Sequence, residues 1–368
     1  MDALDSGGGP GDAAAPELAV VVCTLGKKPL APTLDSIAAS AKAAGRDVET
    51  LVVWQGADPP PEDIRALQVF PLGISYARNR GVVELRSRLV GFLDDDELIV
   101  ESWVGGALAE FEGAGEDAPG GAFGPVLSAD PADYPYFCPA RERVVHEGRR
   151  TPPWLVGTGG NMVFPRELLV GAGGFDERFG AGAPVGSAEE TELVLRLLAR
   201  GRRLVYTPEM AVYHPSRNLE DEVSARHAYG VGMGVALRRA PLLSAEYLYT
   251  IAQELGRSIR ARNARRRREV SATLRSFLAG LVSPVRADSP PSALVRLPAE
   301  LRSRLRGEPR PLPRATGDRP HLRYSVDGGR VLHLYVNPEP GLAESLDSNA
   351  SIEAHAAEPD AFWVLERG

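Results

Sequence analysis

Five apolar residues, Leu89 to Leu93, run directly into three carboxylates, Asp94, Asp95 and Asp96. The run is short enough for a buried strand, and alternation along a strand turns Asp94 and Asp96 to the same side. Three acids gathered at one strand end repel each other unless a cation joins them. Hard divalent ions prefer oxygen ligands, and Mg2+ takes one or two protein carboxylates while phosphate oxygens and water complete its shell. The pattern therefore points to a site for a metal ion and a diphosphate. A solvated acidic turn after a strand is the plain alternative.

The flanking segments set the kind of sheet. Leu18 to Cys23 and Thr50 to Trp54 are further β-prone runs, while Leu34 to Ser40 and the residues around Ser75 to Arg86 read as helices. Such alternation of strand and helix implies an α/β fold whose mostly parallel sheet is covered on both faces. Ligands of these sheets bind beyond the carboxyl ends of the strands, which is where Asp94 to Asp96 fall. Further on, Arg166 to Val170 reads as a short helix and Gly171 to Asp176 as a turn. Glu189 to Gly201 has the helical spacing of Leu193, Leu197 and Leu198 and ends at a glycine. Arg203 to Tyr206 and Ala211 to His214 read as two short strands.

These signals divide the chain. Residues 1–16, rich in Gly, Ala, Asp and Pro, read as a disordered tail with neither the positive start nor the apolar stretch of a signal peptide. Residues 17–239 form the expected catalytic unit, and 240–282 a basic helical segment with Arg257, Arg260, Arg262 and the run Arg265 to Arg268. Residues 283–320 are dense in Pro and Arg and read as a linker. Residues 321–368 read as a small β-containing appendage, from the alternation in Leu332 to Val336.

Composition limits the partners. The 368 residues are 43% hydrophobic and 25% charged, enough to bury a core, and carry a formal net charge of −7. That balance argues against nucleic acid as the main partner, because backbone phosphates demand a large basic surface. Two isolated cysteines, Cys23 and Cys138, make neither a zinc site nor a disulfide framework and fit a reducing cytoplasm. No stretch reaches the roughly 18 apolar residues that span a bilayer. The basic segment is in its plain reading a solvated helix face. Joined to Phe277 to Val282, residues 257–282 would instead make an amphipathic helix resting on an anionic membrane, peripheral to its inner face.

The ordered set of motifs resembles the inverting glycosyltransferases of family 2, which have the GT-A fold. Val20 to Thr24 matches the opening strand, Ala77 to Gly81 the segment before the central helix, and Phe92 to Asp96 the metal motif. Gly157 to Phe164, Gly173 to Glu177, Ala188 to Leu193 with Arg196, and Tyr213 to Pro215 follow in the family's order, across about residues 17–239. The resemblance implies a nucleotide-diphosphate sugar as donor and Mn2+ or Mg2+ as cofactor. It implies Asp96 as metal ligand, with His214 completing the metal site, and Asp94 as a nucleotide-sugar contact. A neutral imidazole suits Mn2+ better than Mg2+.

Inverting transfer needs a base for the acceptor hydroxyl. The resemblance places it at Glu190, with Glu189 as the alternate; relatives usually carry Glu-Asp there. The carboxylates also suit a helix start electrostatically. Thr24, Gln55, Arg78, Asp95, Gly160 and Asn161 are the remaining expected donor contacts. Gln55 stands where many relatives have Asp, which leaves the nucleotide's identity open. Gly159 and Gly160 would admit the sugar closely or serve as a tight turn. Trp54 stacks on the base or packs. Gly180 to Pro184 reads either as a segment that closes over the donor or as a static turn. The acceptor is a hydroxyl on a glycan, a lipid-linked molecule or a natural product.

Two other readings stay open. A sugar-1-phosphate nucleotidyltransferase shares the sheet and a metal-binding Asp, but Thr24 to Pro29 supplies only one glycine for its phosphate loop. A non-catalytic nucleotide-sugar-binding protein would have no need of both acidic clusters. A glycoside hydrolase needs paired carboxylates but neither metal nor nucleotide.

Overall fold

The computed structural model describes residues 16–70, 72–113, 115–130, 136–215 and 219–285, and the backbone of four strands between 321 and 366. The expected tail lies outside the described residues but for its last position, and most of the expected linker does too.

Strands β1 (Leu18–Thr24), β2 (Val48–Trp54), β3 (Ala66–Gln68) and β4 (Leu89–Asp94) are linked through helices α1 (Ala31–Ala44) and α2 (Ile74–Glu84). Their continuous apolar runs suit strands buried on both faces. After β5 (Leu98–Ile99) and α3 (Trp103–Ala109) come β6 (Ala122–Phe123), β7 (Val126–Ser128), β8 (Val144–His146) and β9 (Asn161–Pro165). Helices α4 (Arg166–Ala172) and α5 (Glu189–Ala199) lead to β10 (Leu204–Tyr206) and β11 (Val212–His214).

The main sheet has eight strands in the order β3-β2-β1-β4-β9-β6-β10-β8. The pairs β2–β3, β1–β2, β1–β4 and β6–β10 are parallel. By contrast β9 runs antiparallel to both β4 and β6, and β8 antiparallel to β10. Among the described residues between β6 and β9 no α-helix intervenes, in keeping with an antiparallel partner, which does not require a helical crossover. A smaller sheet, β5-β11-β7, carries His214 at its end.

Alternation along β1 and β4 splits the core in two. Val21, Val53, Val90 and Phe92 pack with Ala77, Val82, Leu193 and Leu197 from α2 and α5. Leu18, Val20, Val22, Leu89 and Leu93 pack with Ile37 of α1 and Trp103, Val104 and Ala107 of α3. Truncating a fully buried ring such as Phe92 to Ala costs about 3–5 kcal/mol. The register sets Thr24 beside Trp54 and Cys23 beside Asp94, so the carboxyl ends of β1, β2 and β4 open at one rim.

Three further helices follow: α6 (Leu219–Leu237), α7 (Pro241–Arg260) and α8 (Ala264–Leu281). The segment 240–282, expected to be helical, contains two helices that meet at 261–263, where Asn263 caps α8 by accepting the Arg266 amide at 2.9 Å. Phe179, Val185 and Ala188 join Met233, Tyr247, Val270 and Phe277 in a third cluster. Phe277 and Val270 are buried there, while Leu278 and Val282 of the same segment are exposed. No described helix is long and apolar enough to cross a membrane. Strands β12 (His321–Ser325), β13 (Val331–Val336), β14 (Ile352–Glu358) and β15 (Ala361–Glu366) form an antiparallel sheet in the order β12-β13-β15-β14.

Candidate active site

The three aspartates each have a different neighbour. At the end of β4, Asp94 lies 3.4 Å from the Arg78 guanidinium. Asp95 accepts a 2.6 Å bond from the Thr24 hydroxyl, and its carbonyl accepts from Thr33. Asp96 receives the Lys28 ammonium at 2.6 Å and stands 3.8 Å from His214 Nε2. Burial works against charge on Lys28, but Asp96 and Asp95 outweigh it and raise its pKa. The cation thus sits over the acids that would otherwise repel each other.

His214 Nδ1 lies 2.7 Å from the Pro215 carbonyl oxygen, an atom that only accepts, so Nδ1 carries the proton. His214 Nε2 is the ring nitrogen that faces Asp96, and in a neutral ring it would offer its lone pair there. This is the arrangement by which a second hydrogen bond fixes the tautomer of a metal-binding imidazole. One carboxylate and one neutral imidazole, 3.8 Å apart, are a donor set that an ion with ligands at about 2 Å can join. Among the described residues no group of three His, Cys, Asp or Glu side chains encloses such an ion. An ion at this rim would therefore keep positions for substrate oxygens and water.

On the opposite side α5 begins. Glu189 binds Arg78 at 2.7 Å, so the same buried guanidinium that meets Asp94 also holds the first acid of α5. Arg78 also donates to the Gly159 carbonyl at 2.9 Å and lies over the rings of Phe175 and Phe92 at 5.6 and 6.0 Å. A side chain at Gly159 would collide with Glu189 and Arg78, and one at Gly160 with Glu97, so the two glycines leave room for the charged cluster.

Glu190 is buried, accepts from the Thr191 hydroxyl at 3.2 Å and forms no ion pair among the described residues. Burial, and then the neighbouring Glu189, push its pKa up to about 8. Tyr229 of α6 bonds to Thr191, and burial together with the Glu190 charge raises its phenol pKa. Ala188, just before Glu189, is held at φ 62 in the left-handed region and is 1% exposed. Such strain in a non-glycine residue costs on the order of 1–3 kcal/mol and is sustained by its surroundings, here Gly232 of α6.

No protein-family model and no curated protein matches this chain. Solved structures do. The mannosyltransferase PcManGT from Pyrobaculum calidifontis, in complex with GDP-Man and Mn2+, aligns at TM-score 0.50 and 16% identity, over 74% of this chain and 91% of that one. S. aureus TarS 1-349 aligns at TM-score 0.46 and 14% identity, over 70% and 91%. The chain has the GT-A glycosyltransferase fold.

Within the GT-A frame, Thr24, Asp95, Asp96 and His214 meet around Lys28, Asp94 and Glu189 meet at Arg78, and the two groups adjoin through the consecutive residues Asp94 to Asp96. Two expected donor contacts behave differently. Asn161 is fully buried: its amide oxygen accepts from Trp103 Nε1 at 2.8 Å, and its nitrogen donates to the Pro125 and Met210 carbonyls at 3.1 and 2.5 Å. It points into the core between the sheets, so its side chain is not available to a donor. Arg78 is 2% exposed and its hydrogen bonds go to protein, which makes it a link between Asp94 and Glu189 rather than a free phosphate contact. Gln55 is buried beyond the end of β2, its backbone N–H donating to the Thr24 carbonyl at 2.8 Å. Trp54 packs under Gly26 and donates to the Asp58 carbonyl at 2.6 Å. The loop after Phe179 is fastened to α2, Ile74 donating to the Ala181 carbonyl at 2.9 Å and Ser75 to that of Phe179 at 2.7 Å.

Lys28, Glu97 and Tyr229 enter the site with no reading from sequence. Lys28 sits in the turn after β1, whose end the parallel sheet sets beside β4; that position was the available signal. Glu97, 1% exposed, accepts the Asp94 amide at 3.0 Å, and burial and then the Asp94 charge hold its pKa well up. It is the fourth acid of an unbroken run, and a fourth solvated carboxylate there would only add repulsion.

Proposed function

We propose that this chain is a metal-dependent, inverting glycosyltransferase that moves a sugar from a nucleotide-diphosphate donor to an acceptor hydroxyl. The observation that carries this reading is the Arg78 link, 3.4 Å to Asp94 and 2.7 Å to Glu189, which makes the strand-end acids and the α5 acids one site. The PcManGT structure of the same fold contains GDP-Man and Mn2+, the donor and ion chemistry proposed for this chain.

Asp96 and His214 would hold the divalent ion. When bound, the ion would offset the negative charge that grows on the departing diphosphate. Asp94 and Asp95 face the donor, steadied by Arg78 and Thr24. Glu190 takes the acceptor's hydroxyl proton as that oxygen bonds to the anomeric carbon, while the bond from that carbon to the diphosphate oxygen breaks. One displacement at the carbon inverts its configuration. A carboxylate with a pKa near 8 is a far better base than one in the usual range, because catalysis favours a pKa near the working pH. Glu189, neutralised by Arg78, positions Asp94 instead.

A panel of nucleotide-diphosphate sugars, incubated with Mn2+ and with EDTA, tests the proposal by release of nucleoside diphosphate in the presence of acceptors. Turnover with at least one donor, lost in EDTA and in Glu190→Gln while donor binding persists, is expected. Equal turnover in Glu190→Gln would remove Glu190 as base. Donor binding without turnover in any condition would favour a nucleotide-sugar-binding protein. The cytoplasmic location is carried into this proposal from the two isolated cysteines.

A further inference from the structure

Helix α8 carries five arginines in the stretch 265–275, and their partners divide them. Arg265 and Arg266 pair with Glu269 at 3.2 and 3.0 Å, and Arg266 also reaches Glu254 of α7 at 2.6 Å. Arg265 pairs within α8, and Arg266 ties α8 to α7. Arg267, Arg268 and Arg275 form no ion pair among the described residues, in a chain whose net charge is −7. Their charge serves no described structural contact.

The same three arginines line two adjoining concavities between α6 and α8. The larger has a volume of about 460 Å³ and brings Arg268 and Arg275 together with Ser224 and His227 of α6, with Glu220 as its one acid. The smaller, about 310 Å³, adds Arg267 and shares Arg268 and Arg275. Seven residues, two helical turns or about 10.5 Å along the axis, separate Arg268 from Arg275, so with Arg267 the guanidinium groups are spread along two adjoining concavities rather than held at one point. Arginine's planar fork binds phosphate oxygens in pairs, and Ser224 adds a hydroxyl donor. The floor of the groove contains only short side chains such as Val223 and Ala272. Phe277 of α8 is buried against the helices and does not line the groove.

We infer that the α6–α8 groove binds a ligand carrying two or more phosphate groups, at a site separate from the metal rim. The site is independent of the catalytic reading. It lies on α6, the helix whose Tyr229 abuts Thr191 beside Glu190, so an occupant would rest on the element that backs the proposed base.

The experiment uses the full chain in EDTA, which leaves the metal rim unloaded, with tripolyphosphate as probe in calorimetry. A second arm uses co-sedimentation with phosphatidylglycerol vesicles against phosphatidylcholine vesicles. Arg268→Ala/Arg275→Ala should weaken binding at least about tenfold, since charge-assisted hydrogen bonds are lost at two arginines. Arg257→Ala/Arg260→Ala removes the same charge outside the groove and should change it less than about twofold. Groove-dependent binding of tripolyphosphate alone assigns the site to a soluble phosphate ligand. Groove-dependent binding of phosphatidylglycerol vesicles assigns the phosphates to lipid headgroups. Equal losses in the two double variants, or no loss for either probe in Arg268→Ala/Arg275→Ala, would overturn the inference.

Discussion

A guanidinium that is 2% exposed would be costly to bury without partners, by several kcal/mol, and Arg78 shows how the site meets that cost. Its charge faces Glu189 and Asp94, its hydrogen bonds end on protein, and Phe92 and Phe175 lie against its faces. Glu190, one residue from Glu189, has no such partner, and its pKa rises to about 8. If Glu190 is the base, kcat should climb with pH, reach half its maximum near pH 8 and level off above that, and Glu190→Gln should lower it by roughly 10²–10⁴-fold. Stability should move the other way. The folded chain keeps the Glu190 proton between the ordinary glutamate range and about pH 8, so this group's contribution is complete at low pH and fades as pH rises through that window. Melting curves of wild type and Glu190→Gln across pH 5–9 check the sign: the variant's melting point should fall less. Asn161 belongs to a different category. Asn161→Ala would leave the Trp103 indole N–H and the Met210 carbonyl buried without partners, while the Pro125 carbonyl keeps the Val212 amide, a loss of about 3 kcal/mol read by denaturant unfolding.

Helices α6 and α8 meet through glycines. A methyl group at Gly234 would strike the Phe277 carbonyl and Gly280, and one at Gly280 would strike the Val231 carbonyl. Gly234→Ala and Gly280→Ala should each cost about 1–3 kcal/mol, toward the upper end because backbone cannot yield as a side chain can. The same changes should disturb Tyr229, Thr191 and Glu190, so kcat should fall at temperatures where the variants remain folded. These glycines also explain why α6 is not legible in the sequence. Gly230, Gly232 and Gly234 lower intrinsic helix propensity, and what holds the segment helical is close packing against α8 and against Ser187 and Ala188, which only the fold supplies. The runs behind β1, β2 and β4 are legible because burial on both faces leaves an unbroken apolar signature. Asp96 and His214 could be placed together through motif order. Lys28 and Glu97 could not, because their roles arise from a strand pairing and from one inward-turned carboxylate. Asn161 was legible as part of a motif but not in its direction, since a strand-start amide reads the same whether it faces a ligand or the core.

At the scale of the whole molecule, the sheet brings β1, β2 and β4 to one rim, β11 delivers His214 to it, and α5, backed by α6, supplies the second set of acids. The Lys28 ammonium lies 2.6 Å from Asp96. Lys28→Met should therefore tighten Mn2+ binding several-fold by removing a competing cation, measurable as free Mn2+ by electron paramagnetic resonance. The central claim is that Asp96 and His214 share one divalent ion with the donor's diphosphate. Titrating Mn2+ into the full chain by that resonance, with and without a nucleoside diphosphate, tests it most directly. The account predicts one site that tightens when the diphosphate is present and is lost in Asp96→Asn and weakened in His214→Ala. Equal Mn2+ binding in the wild type and both variants would contradict it.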